Sequence, residues 1–193
     1  MTYQKAALRT ALLAQRAQMS PFILAQSISE LAAWMYALPV DIGAGDTVAA
    51  YLATRREPGG TAMLDALADQ GIRVLLPIVP EGEPQRLQWG EYRGEHHLAD
   101  GRWNLREPQG IRLDPDTLVQ AKLILVPAVA VDRRGVRLGR GAGYYDRTLA
   151  GMPAQIVAVV HDAEVVDHDL PEGKYDVPVQ WILTPSGGFT PIG

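Results

Sequence analysis

The sequence predicts an α/β fold built on a mostly parallel sheet. Three features of the chain lead there. The runs KLILVPAVAV, QIVAVVH and VQWILT are unbroken stretches of Val, Ile, Leu and Ala rather than alternating ones, as strands buried on both faces require. Two earlier segments, TVAAYLA and IRVLLPIV, have the same character. Helix-forming segments fall between the runs, which is the βαβ pattern of a sheet covered on both sides.

Taken in order, residues 3–18 repeat apolar and polar side chains at helical spacing and are rich in Ala, Leu, Gln and Arg. Ser20 and Pro21 supply an N-cap and a first helical position, so a second helix is expected to run to about Leu38 and stop before Pro39. A strand over 47–53, a helix over 61–70 closed by Gly71, and a strand over 72–79 ended by its prolines come next. Residues 81–117 are polar and turn-rich, with Trp89 and Trp103 as apolar anchors and a short hairpin expected around RLQWGEY. A short helix from about Tyr144 to Leu149 separates the first two late runs. No repeat, low-complexity tract or long linker divides the chain, so residues 1–193 are expected to form one domain.

With 47% apolar and 21% charged residues, the 193-residue chain has the composition of a soluble globular protein. No apolar run approaches the roughly eighteen residues needed to span a bilayer, and the first residues lack the order of a secretory signal. A cytoplasmic protein with no membrane partner is therefore expected. With no cysteine, disulfides, a thiolate nucleophile and sulfur-ligated metals are excluded. The net charge of −4 argues against nucleic acid as a partner. Its distribution is uneven: Lys5, Arg9 and Arg16 precede the first acid, Glu30, and residues 132–147 hold five arginines against two aspartates. Residues 161–176 hold six acids against one lysine. Two cationic segments and one anionic segment suit a small polyanion carried with a metal ion, or else are unrelated solvated faces.

The stretch GVRLGRGAGYYDR, residues 135–147, directly follows the run LILVPAVAV. Ligands of open parallel sheets bind at the carboxyl ends of the strands, so this is where a site is expected. Its glycines, 139, 141 and 143, are spaced Gly-x-Gly-x-Gly, which is neither a dinucleotide fingerprint nor a P-loop. Glycines there allow positive φ and close approach, and successive N–H groups can cradle an anion. Arg137 and Arg140 could add bidentate phosphate contacts; a glycine-rich turn with solvated arginines is the plainer reading. On the first helix, Lys5, Arg9 and Arg16 fall within about 40° of one another. Leu8 and Leu12 anchor the adjoining face.

The segment from LILVPAVAVD through GVRLGRGAGYYDR resembles the signature of the 5-formyltetrahydrofolate cyclo-ligase family. The chain supplies Pro127, Asp132, Gly135, Arg137, Leu138, Gly139, Gly141, Gly143, Tyr144, Tyr145, Asp146 and Arg147 of that pattern. Lys5-x-x-Leu8-Arg9, AAYLATRRE, LLP at 75–77 and WNLREP at 103–108 are similar to further family landmarks.

The resemblance implies a three-layer α/β/α sandwich similar to the ribose-phosphate isomerase and CoA-transferase group. It implies that ATP phosphorylates the formyl oxygen of 5-formyltetrahydrofolate and that N10 then closes the ring, giving 5,10-methenyltetrahydrofolate, ADP and phosphate. By the same resemblance ATP would be held by Lys5, Arg9, Arg137, Leu138, Gly139, Arg140, Gly141, Ala142, Gly143, Tyr144 and Tyr145. Folate would lie near Leu52, Glu57, Trp103, Arg140, Gly141, Ala142, Gly143 and Tyr144, with catalytic roles for Arg137, Arg140 and Tyr144. Mg²⁺ would go to Asp146 and Asp176, with Asp162, Glu164 and Asp169 as local competitors of the second. A monomer acting on small molecules is expected. Departures from the pattern stand at Ala142, Val131, His161, Tyr175 and Gln180. His96, His97, His161 and His168 lack zinc-site spacing and are read as non-metal. Two other readings stay open: a non-catalytic folate- or nucleotide-binding relative, and an ATP-using enzyme on the same scaffold with another substrate.

Overall fold

In the computed structural model, which describes residues 2–54 and 56–192, the apolar runs assemble into one seven-stranded sheet. The chain opens with helices α1 (Thr2–Ala17) and α2 (Pro21–Trp34), then β1 (Thr47–Ala49), α3 (Thr61–Ala68) and β2 (Arg73–Ile78). Next come β3 (Gln88–Glu91), β4 (Leu98–Asp100), β5 (Arg106–Pro108), β6 (Ala121–Pro127), β7 (Ala130–Asp132) and β8 (Arg137–Leu138). The last part holds α4 (Tyr144–Leu149), β9 (Gln155–Val159), β10 (Val165–Val166), β11 (Trp181–Thr184) and β12 (Gly188–Pro191). The large sheet has the order β12-β11-β9-β6-β1-β2-β3, parallel throughout except for the antiparallel edges β3 and β12.

The pleat splits each inner strand between two cores, because successive side chains point to opposite faces. Val48, Val74, Leu76, Leu123, Leu125, Val157 and Val159 meet Leu31 and Met35, in and just after α2, and Met63, Leu64 and Leu67 of α3 on one face. Ala49, Leu75, Ile124, Val126, Ile156 and Ala158 meet Trp89, Leu118 and the α4 residues Tyr144 and Leu149 on the other. That is the three-layer arrangement. A third cluster joins Leu12 of α1 to Val129, Ala130, Val136, Leu138 and Leu170 around the small sheet β10-β7-β8.

Several elements stop where local chemistry dictates. Ser20 Oγ accepts from Ile23 N at 3.3 Å and Pro21 opens α2, as expected. The helix ends at Trp34 rather than near Leu38, because Met35, Tyr36 and Ala37 donate to the carbonyls three residues back and tighten the turn. β1 closes at Ala49, short of the expected 47–53, and further on Thr54 N donates to the Glu57 carboxylate (2.8 Å) as the chain turns. The apolar run after Lys122 splits into β6 and β7 beyond Pro127.

In the middle segment, RLQWGEY supplies one strand, β3, rather than both strands of a short hairpin; it pairs antiparallel with the preceding β2, and β4 and β5 form an antiparallel pair of their own. Trp89 is fully buried, but Trp103 is 59% exposed and lies outside the core clusters. His96 and His97 lie in a 3-10 turn, not a strand.

The chain leaves β1 through α3 on one face and leaves β6 by way of α4 on the other. The two strands are neighbours, so their carboxyl ends form the topological switch point, outside which open sheets of this kind hold their ligand cleft.

Candidate active site

Two loops border this cleft. The first follows β1 and carries Glu57, which lies only 7% exposed at its side chain rather than free in solvent. Its Oε2 accepts from Thr54 N (2.8 Å) and Thr54 Oγ1 (2.9 Å), and Tyr51 Oη ties the loop's far side to Pro58 O at 2.6 Å. The second is the glycine loop after β8. Arg140 Nε reaches across to Glu57 Oε1 at 2.9 Å, and Arg140 Nη2 lies 3.3 Å from Thr54 Oγ1. The guanidinium thus joins the two loops by a charge-assisted bond.

Behind it, Arg137 is buried by β8 and gives one N–H to Asp146 Oδ1 at 2.5 Å, with its guanidinium 5.9 Å from the Tyr145 ring. Arg137 Nε and Tyr145 Oη are buried donors without a partner among the described residues. Burial and the neighbouring Glu57 carboxylate push the Tyr145 hydroxyl well above the ordinary phenol value, and Tyr51 likewise, so both remain protonated. Gly143 takes φ +72°, the left-handed turn that starts α4, and Arg147 Nη1 caps its carbonyl at 2.8 Å.

Helix α1 contributes two cations, four positions apart on one stripe. Arg9 Nε donates to Gly139 O at 2.7 Å, and its guanidinium packs against the Gly141 backbone, where an added Cβ would sit 3.2 Å from Arg9 Cζ. Lys5 Nζ bonds Asp176 Oδ2, on the segment before β11. Arg16, on the same stripe, is drawn elsewhere. It is buried, grips Glu164 through two bonds of 2.6 and 2.7 Å, and donates to Ala128 O at 2.8 Å.

Of the other residues singled out by the sequence, Tyr144 is buried and meets the Trp103 ring edge-on at 6.2 Å. Trp103 holds a left-handed φ of 59° with Arg102 over its face. Leu52 packs against the first core, and the Leu138 side chain lies in the third, so Leu138 can offer a ligand only its backbone. Ala142 O accepts from Arg147 Nη1 at 3.3 Å. Glu164 is taken by Arg16, and Asp162 accepts from Ser186. Asp169 pairs with Arg134 at 3.1 Å.

A sequence profile of the 5-formyltetrahydrofolate cyclo-ligase family matches residues 1–185. The chain belongs to the 5-formyltetrahydrofolate cyclo-ligase family. A relative of that name from Mycolicibacterium smegmatis is 43% identical, the match covering 97% of each chain. One from Escherichia coli is 32% identical over 72% of this chain and 78% of its own. The solved 5,10-methenyltetrahydrofolate synthetase of Aquifex aeolicus superposes with a TM-score of 0.80 at 27% identity, covering 97% of this chain and 92% of the other. The Mycoplasma pneumoniae synthetase shares the fold at a TM-score of 0.71 and 20% identity, over 92% and 96% of the two chains.

In this cyclo-ligase family member, sequence reasoning missed three residues that build the cleft. Thr54, three positions before Glu57, had a readable signal in the Ser/Thr-x-x-Glu spacing of reciprocal caps. His161 had none: it is buried at the end of β9, its Nε2 3.0 Å from Arg56 O beside Glu57 and its Nδ1 3.4 Å from Ser27 Oγ. Asp132 was visible only as one letter of the signature. It is the acceptor that folds the turn before β8, through Arg134 N at 3.0 Å and Val136 N at 2.9 Å.

Proposed function

We propose that this protein catalyses the ATP-dependent closure of 5-formyltetrahydrofolate to 5,10-methenyltetrahydrofolate, releasing ADP and phosphate. The observation that carries the reading is the Arg140–Glu57 bond across the switch-point cleft. It brings a carboxylate suited to the donor edge of a pterin against a cation suited to a phosphate. Arg9 and Arg137 lie against the same glycine backbone and supply further positive charge, and Lys5 lies one turn along α1 from Arg9. Arg137 Nε and Tyr145 Oη are buried donors free to meet an anionic oxygen.

The nucleophile for phosphoryl transfer would be the substrate's own formyl oxygen. The chain therefore needs no Ser, Cys or His nucleophile, only positioning and positive charge. In this reading Arg140, Arg137 and the loop N–H groups hold the triphosphate in line with the formyl oxygen. Attack of that oxygen on the γ-phosphorus breaks the bond to ADP. N10 would then attack the activated carbon, its N–H proton passing to water as the C–O bond breaks and phosphate leaves. Trp103, edge-on to Tyr144, would flank the folate ring, and Leu52 its apolar side.

A divalent cation fits the acids present. Among the described residues no three His, Asp or Glu converge, so no all-protein cage exists. Asp146 and Asp176 are partly exposed carboxylates, each now bonded to a cation, and Mg²⁺ is usually held by one or two such groups plus substrate phosphates. Bound there, Mg²⁺ would neutralise charge on the phosphates, while release of Lys5 from Asp176 and Arg137 from Asp146 would free both cations to bind phosphate oxygen.

The test is to incubate purified protein with 5-formyltetrahydrofolate, Mg²⁺ and ATP and to follow methenyl absorbance together with ADP. Stoichiometric, ATP-dependent formation of both is expected. Folate binding without turnover would indicate a storage relative, and neither binding nor turnover would indicate a different substrate.

A further inference from the structure

Asp146 and Asp176 sit on separate segments, and something must keep them in register. Asp146 lies in the first turn of α4, held by Arg137 of β8. Asp176 lies within residues 171–178, the eight positions between Leu170 and Val179. Inside that segment Asp176 is fixed by its own loop, accepting from Gly173 N at 2.8 Å and donating its N–H to Gly173 O at 3.1 Å. The segment's placement on the molecule comes from its two buried ends.

Both ends are fastened to one turn, residues 132–136. Asp132 Oδ2 accepts from Leu170 N at 2.9 Å, and Arg134 Nη2 donates to Leu170 O at 3.0 Å. At the other end Val179 N donates to Gly135 O at 2.9 Å. Gly135 holds φ +83°, and its Cα lies so close to the Val179 carbonyl that a side chain there would collide with it. The same turn sets β8. Asp132 Oδ1 accepts from Val136 N, the residue before Arg137, and Asp132 N donates to Val136 O at 3.0 Å.

Asp132 is 1% exposed. A buried carboxylate is costly unless its oxygens are met by donors. Here Oδ1 takes two backbone N–H groups, and Oδ2 takes Leu170 N together with Arg134 Nε and Nη2. The first oxygen serves the turn. The second also reaches beyond it, to Leu170 N at the start of the segment that carries Asp176.

We infer that Asp132 is a positioning residue that registers Asp176 against the Arg137–Asp146 pair, with Arg134 and Gly135 completing the clamp. The inference rests on the proposed nucleotide site for the consequence of the clamp, though not for its existence. Displacing residues 171–178 moves Asp176 away from Lys5 and the phosphates while leaving Glu57, Trp103 and the folate side of the cleft in place.

The test uses full-length R134A and D132N. Each is titrated with a non-hydrolysable ATP analogue at fixed Mg²⁺ and, separately, with 5-formyltetrahydrofolate, and hydrogen exchange is followed along the chain. Arg134 is half-exposed, so R134A is the variant expected to fold normally and decides the matter if D132N does not fold. Analogue affinity should fall about 10- to 100-fold, as when a group orienting a ligand is removed. Folate affinity should hold at the wild-type value, and the amides of residues 172–177 should exchange faster while those of β6 and β9 do not. Wild-type exchange over 171–178, or an equal loss of both affinities, overturns the inference. A wild-type protein that fails to bind the analogue overturns the nucleotide reading instead, and the exchange data alone then judge the clamp.

Discussion

Lys5 and Arg16 lie on one stripe of α1, yet the two ends of the helix do unlike work. At the C-terminal end, Arg16 is enclosed, doubly bonded to Glu164 and tied to Ala128 O. At the N-terminal end, Lys5 and its partner Asp176 each keep a fifth of their side-chain surface in solvent, and Arg9 donates to a backbone carbonyl, Gly139 O. An enclosed pair cannot exchange partners without leaving a buried charge bare. A part-exposed pair can, because water covers the intermediate state. The same residue type at helical spacing therefore anchors the fold at one end and stays exchangeable at the other.

The largest effect should come from breaking the enclosed pair. R16A leaves Glu164 buried and uncompensated, and should lower the unfolding free energy by about 3–5 kcal/mol, read from the urea midpoint. A loss no larger than that of K5A would erase the contrast.

The buried Asp132 tests the same idea through pH. Burial pushes its carboxyl up, but the Leu170 N–H, the Arg134 guanidinium and the Val136 and Arg134 N–H groups outweigh burial and hold it below the usual carboxylate range. Its stabilisation is therefore full above the unfolded value of about 3.9 and is lost as pH falls through the lower folded value. D132N should be less stable at neutral pH and should lose stability less steeply below about pH 4, measured by denaturant midpoints across a pH series.

At the exchangeable end the expected changes are functional. R9A should raise KM for ATP by about tenfold or more, the worth of a hydrogen bond to a charged group, and raise that for folate far less. An unchanged KM for ATP would remove α1 from the site. The smallest effect is on stability: K5A should cost no more than about 1 kcal/mol, while steady-state kinetics still show a weakened ATP KM.

The large sheet was legible because its strands are buried on both faces, which writes itself as unbroken Val/Ile/Leu runs. Helix α4, expected over 144–149, begins at Tyr144, where Gly143 takes positive φ, and ends at Leu149, where Ala150 leaves the helical region. The middle segment was less readable. β3 pairs with the strand just before it, β2, across the nine-residue loop 79–87 that carries no tight-turn signal, and Trp103 looks as apolar as Trp89 on paper. In the cleft, the glycine loop and α1 stripe were visible as charge and glycine patterns. The split within that stripe was not, since Glu164 lies 148 positions from Arg16 and nothing local links them. His161 was hidden for the same reason, its partners being a carbonyl and a hydroxyl from distant segments.

That distance has a bearing on synthesis. β1 lies between β2 and β6, so the centre of the sheet stays unpaired on one side until residues past Ala121 arrive. Lys5 meets Asp176 across 171 positions. Contacts between such remote residues carry a large loop-closure cost and form late. A nascent chain emerging from the ribosome can thus make helices α1 and α2 early. The cleft closes only after the segment before β11 has been translated, so partly synthesised chains should not sequester nucleotide or folate.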